Sequence, residues 1–148
     1  MRSFAPILLV VSAGLGACSA FQRASTAPAP ATAEAGTVAQ VYYWRAKPGK
    51  FDEYTRYVRD HAEPIDAEAQ RNGAFISVTT FMTRDTTSAW THMRVFVLRD
   101  STQLRELSAT LNAAGVRLEP DSVKRRLAGE YSATLRDRVG AQMAHILH

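Results

Sequence analysis

The sequence predicts an α+β domain, an antiparallel sheet carrying its helices on one face, in the order β-α-β-β-α-helix-β. Three observations carry this. The segments 74–83 and 89–98 are β-branched and aromatic, alternate with period two, and flank a polar turn at Arg84 to Ser88. A β-rich run opens the domain at Val38 to Arg45. Helical stripes of period 3.6 begin at Phe51 and Leu104, one before the hairpin and one after it.

The elements follow in order. Val38 to Arg45 is the first strand, and Lys47-Pro48-Gly49-Lys50 stops it. Phe51, Tyr54, Val58 and Ile65 form one helical face, with Asp52 and Glu53 in the first turn where carboxylates suit the dipole. Pro64 should kink or restart this helix, and Asn72-Gly73 should end it. The hairpin of 74–83 and 89–98 comes next. Asp100 reads as an N-cap, with Gln103 completing a capping box. Leu104, Leu107, Leu111 and Ala114 mark the second long helix, which Gly115 is expected to close. Pro120 is placed to open a further helix with Val123, Leu127 and Tyr131 as its apolar stripe. Val139, Met143 and Ile146 fit a helix or a strand; Gly140 and the need to cover a sheet edge favour a closing strand over roughly 141–147.

This order is the split βαβ pattern of ferredoxin-like folds. One sheet side then carries Val41, Tyr43, Met93, Val95 and Val97, and the other carries Tyr42, Trp44, Trp90, His92, Arg94, Phe96 and Leu98. The aliphatic side is expected to meet the helices. The aromatic, mixed side is too apolar for open water, since each exposed aromatic would forfeit roughly 1.5–3 kcal/mol. A second copy of the chain is expected to cover it.

Tyr42-Tyr43-Trp44-Arg45, then Lys47-Pro48-Gly49-Lys50-Phe51 with Tyr54 on the helix, resembles the dimeric α/β-barrel superfamily. That superfamily includes antibiotic-biosynthesis-monooxygenase-like, NIPSNAP-like and EthD-like domains. The resemblance covers most of Val38 to His148 and implies a homodimer whose two sheets face each other around a chamber for a small ligand. Some relatives perform cofactor-free oxygenation or haem cleavage. The haem-degrading ones rely on a histidine on the second long helix, and Ser101 to Ala114 contains none, so no catalytic residue is carried over.

The N-terminus gives an address. Arg2, an apolar run from Phe4 to Val11 and small residues up to Ala17 have the layout of a secretory signal, too short to span a membrane. Leu15-Gly16-Ala17-Cys18 resembles the lipobox of bacterial lipoproteins. The resemblance implies cleavage after residue 17, a thioether-linked lipid on Cys18 and a membrane anchor. Ser19, where an Asp would signal inner-membrane retention, implies the outer membrane facing the periplasm. Residues 18–37, rich in Ala, Pro and Thr, read as a flexible tether, leaving 38–148 as one domain. Cys18 is the only cysteine, so no internal disulfide or thiolate zinc site can form. The net charge is +4 for the chain, and +3 without Arg2, Arg23 and Glu34. The one basic run, Lys124-Arg125-Arg126, lies on a helix, so nucleic-acid binding is not expected.

The candidate ligand-binding residues are Tyr42, Trp44, Trp90, His92 and Arg94. On a covered sheet face they form a polar cluster among apolar walls, the makeup of a small-molecule pocket. His92 can serve as a general base or haem ligand, and Arg94 can hold a carboxylate. The competing reading has both satisfied within the protein and the aromatics as interface filling. His61 lies just before Pro64, where a surface role competes with a place at the barrel mouth. His145 and His148 are three apart and face opposite sides of a strand, so no metal site is expected. No phosphate loop, nucleophile elbow or metalloprotease motif occurs, and no cofactor is implied. The expected function is binding of a small apolar or aromatic ligand by an exported, lipid-anchored dimer. The alternatives are a cofactor-independent monooxygenase or isomerase using His92 and Arg94, and a structural or partner-binding lipoprotein.

Overall fold

The structure, a computed structural model, describes residues 36–146. The segments expected to be a signal and most of a tether, with Cys18, lie outside the described residues, as does His148. Strands β1 (Val38–Ala46), β2 (Ser77–Met82), β3 (His92–Leu98) and β4 (Arg136–His145) form one antiparallel sheet in the order β2-β3-β1-β4. This is the ferredoxin-like arrangement, and the C-terminal segment is the closing strand. β4 starts five residues earlier than 141 because Arg136 already pairs with Ala46.

The turn after β1 is closed by the Lys50 N–H donating to the Lys47 carbonyl at 2.9 Å, with Pro48 and then Gly49 at φ +74° in the two central positions. Those are the residues a type II turn requires. Helix α1 (Phe51–Tyr57) passes through a π-helical turn (Val58–Ala62) into α2 (Glu63–Arg71). Pro64 is the cause: it has no N–H to bond backward and its ring crowds the preceding turn, so the helix widens rather than breaks. Gly73, at φ +77°, ends α2.

Helix α3 (Ser101–Leu118) begins at Asp100, whose carboxylate accepts from the Thr102 and Gln103 N–H groups. Gln103 does not close the box onto Asp100. Its side chain accepts from the Arg99 N–H and donates to the Gly73 carbonyl, tying the start of α3 to the end of α2. Gly115 does not end α3 as expected. It is buried inside it, facing Ile65 of α2, which lies at ordinary contact distance, 3.7 Å, from where a Cβ would be. Arg117 and Arg71 both grip Glu68 and hold its carboxyl down to about 2, adding a polar tie between α2 and α3.

Helix α4 (Ser122–Leu135) is opened by Asp121, not Pro120: the Asp121 carboxylate accepts from the Val123 and Lys124 N–H groups. Its expected stripe of Val123, Leu127 and Tyr131 faces outward, and α4 is buried through Ser132 and Leu135 instead.

The sheet faces are inverted relative to expectation. His92, Arg94, Phe96 and Leu98 are the buried side of β3, under the helices, where Phe96 and Leu98 join Phe75, Leu107 and Ala114 in the main core. A second cluster, Tyr54, Val58 and Leu135 against Ala46, seals the α1 and α4 end. The aliphatic side, with Met93, Val95 and Val97 half-buried and Phe81 exposed beside Met93, carries no helix among the described residues. The reason is volume. The Phe96 and Tyr42 rings and the Arg94 guanidinium occupy the space between the sheet and the helices.

Candidate functional site

Strand alternation puts Tyr42, Trp44, Arg94 and Phe96 on the helix side of the sheet. With Ser108 and Leu111 of α3 and Arg136 and Arg138 of β4 they line a cavity of about 450 Å³. Tyr42 and Trp44 are adjacent aromatic walls, their ring centroids 5.6 Å apart. Of the five sequence-predicted ligand residues, three meet here: Tyr42, Trp44 and Arg94.

The other two do not. Trp90 precedes β3, and its ring meets Tyr43 at 6.3 Å on the open side of the sheet, away from Arg94. The cause is the backbone: the Thr91 N–H bonds the Trp44 carbonyl at 2.9 Å in the loop before the ladder begins, so period-two alternation does not extend back to residue 90. His92 is fully buried behind the pocket, between Phe51 at 5.0 Å and Tyr54 at 4.5 Å. Both ring nitrogens are engaged, Nε2 with the Thr55 hydroxyl at 3.0 Å and Nδ1 with the Thr91 hydroxyl at 2.9 Å. Thr55 donates to the Phe51 carbonyl, so its oxygen is placed to accept from Nε2–H, and the Thr91 hydroxyl lies between Nδ1 and the Trp44 carbonyl, 3.4 Å away. Burial pushes the imidazole down to about 4. His92 is a neutral, satisfied core group with no nitrogen free for a base or an iron ligand, and it does not line the cavity. His61 is exposed on the π-helical turn, against Tyr57 at 4.9 Å.

Arg94 forms a buried ion pair with Asp66 of α2. Burial lowers its guanidinium pKa, with the nearby Tyr54 and Glu63 pulling the other way. Its Nε and the Nε1 of Trp44 are buried donors without an acceptor among the described residues. Burial also raises Tyr54 to about 12, so that phenol stays protonated.

Sequence reasoning missed Asp66, Arg136 and Arg138. The two arginines reach the site through a bulge in β4: Tyr43 pairs with Gly140 but Trp44 pairs with Arg138, leaving Val139 as the extra residue. The bulge turns Arg136 and Arg138 to the face of Trp44, where unbroken alternation would have sent them to the open side. Arg136 lies over the Trp44 ring at 5.0 Å, and Arg138 over the Tyr42 ring at 5.1 Å. The available signal was Val139-Gly140, a glycine inside a strand pattern, which often marks a bulge. Among the described residues no group of three or more His, Cys, Asp or Glu is placed to hold a metal, and no helix is long and apolar enough to cross a membrane.

No protein-family model matches the sequence, and no curated protein is similar to it. Similarity appears among solved structures. HapK from Hahella chejuensis aligns with a TM-score of 0.50 at 9% identity, over 74% of this chain and 92% of that one. SnoaB, a cofactor-independent oxygenase from Streptomyces nogalater, aligns with a TM-score of 0.45 at 16% identity, over 77% of this chain and 96% of that one. The HapK alignment establishes the fold.

Proposed function

We propose that this chain is an exported, lipid-anchored domain that binds a small aromatic ligand in the cavity between its sheet and helix α3. The observation that carries the reading is that Tyr42, Trp44 and Arg94 wall one cavity of about 450 Å³, with the Trp44 Nε1–H and Arg94 Nε–H lacking acceptors. A pocket of this size, walled by aromatics and carrying a few polar groups, is how small-molecule sites are built. Binding is favoured over oxygenase or isomerase chemistry because no His, Asp or Glu lines the cavity to act as a base. Titrating 1-naphthalenemethanol into the full chain should give saturable binding by calorimetry, weakened about tenfold or more by Trp44→Ala. Absence of saturable binding would overturn the proposal.

The anchor is supported by Leu15-Gly16-Ala17-Cys18 at the end of an apolar run. Cys18→Ser should move the protein from the membrane pellet to the soluble fraction, since anchoring needs the attached chains. A mutant that still pellets would remove acylation as the anchor. A homodimer is supported by the open sheet face, where Val95, Val97 and Met93 meet no helix among the described residues. The ligand cavity then lies within each subunit, not in a chamber between the two sheets.

A further inference from the structure

We propose that the ligand of this cavity is a planar aromatic anion, its negative group received by Arg138 and Arg136 and its ring by Tyr42 and Trp44. This rests on the ligand-binding reading above and narrows it to one chemical class. Three guanidiniums line the cavity and no carboxylate does. Arg94 is offset by Asp66. Arg136 and Arg138 form no ion pair among the described residues; Arg136 only donates from Nε to the Ser132 hydroxyl at 3.1 Å. Asp137, between them, lies on the far side of the strand, 4.0 Å from the Lys47 Nζ. The polar side chains that line the cavity are the three arginines, with the Tyr42 and Ser108 hydroxyls as the sole side-chain acceptors.

A cationic ligand would add charge to this surplus, and a neutral one would leave it uncompensated. An anion accepts from the guanidiniums in a forked, charge-assisted geometry that a neutral group does not match. The two unpaired arginines already lie over the aromatic walls, so an anionic substituent in the plane of a bound ring would meet their edges. The β4 bulge is what brings both arginines to the cavity side, since it shifts the strand register between Gly140 and Arg138.

The experiment compares 1-naphthoate with its neutral isostere 1-naphthamide, by calorimetry on the full chain. Naphthoate is expected to bind about tenfold or more tighter. Arg138 is exposed and its side chain makes no hydrogen bond among the described residues, so Arg138→Gln should leave the fold intact and weaken naphthoate by a larger factor than naphthamide. Equal binding of the two probes by the unmodified chain overturns the anion class while the aromatic-pocket reading stands. Naphthoate binding undiminished in the double variant R136Q/R138Q overturns the assignment to these arginines. If neither naphthalene probe binds, both readings fall together.

Discussion

His92 and Arg94 sit two positions apart on β3, under the same helices, yet only Arg94 reaches the cavity. Arg94 is long enough to reach it while its guanidinium pairs with Asp66. Removing either partner of such a buried pair strands the other charge, at a cost of about 3–5 kcal/mol. The imidazole of His92 is short and closed in by two threonine hydroxyls and two rings. Burial holds its pKa down to about 4, against an ordinary value of 6.5, and this has a consequence for stability. Between these values the unfolded chain takes up a proton that the native state refuses. Stability from this group is therefore full above about pH 6.5 and declines as pH falls toward 4, by about 3 kcal/mol in total. Urea unfolding free energies measured across that range should fall less steeply in His92→Leu than in the unmodified protein. Parallel curves would show that His92 is not the titrating group.

At the scale of elements, apolar periodicity identified faces without identifying what covers them. The α4 stripe of Val123, Leu127 and Tyr131 has helical spacing but is exposed, and the Tyr131 hydroxyl instead donates to Glu53 at 2.7 Å. Glycine was similarly ambiguous: Gly73 ends a helix, Gly115 is buried within one against Ile65, and Gly140 adjoins a bulge. Gly129 does none of these. It is exposed within α4, and nothing lies within 4 Å of where its Cβ would sit. Gly129→Ala should therefore stabilise the protein by roughly 0.5–1 kcal/mol through helix propensity alone, read as a higher urea midpoint at unchanged slope. A lower midpoint would mean that the glycine has a packing role.

For the whole molecule, the sheet has one face spent on the core and cavity and one face left aliphatic. Ala39 and Val41 are buried there by their strand neighbours, whereas Met93, Val95 and Val97 are half-exposed and Phe81 more so. The proposed homodimer uses this face. Val95→Asp places a charge at its centre, beside Thr79 and Val41, and should shift sedimentation from dimer to monomer while leaving naphthoate binding in place, because the cavity lies on the other side of the sheet. A variant that stays dimeric, or a parent chain that is monomeric at high concentration, would count against the interface.

The sequence by itself determined the order of elements, the strand character of β1 to β3, the Asp100 cap, the disturbance at Pro64 and the pairing of Tyr42 and Trp44 with Arg94 on one side of the sheet. These are local or follow from period-two alternation, so neighbouring residues suffice to fix them. Only the tertiary structure decided which side of the sheet the helices cover, that His92 is sealed while Arg94 reaches the cavity, that Trp90 crosses to the opposite side, and that Arg136 and Arg138 arrive from β4. Alternation separates two faces but does not label them. The label comes from the volume the helices leave above the sheet, and the arginines come from a one-residue bulge whose effect exists only once β4 is paired with β1.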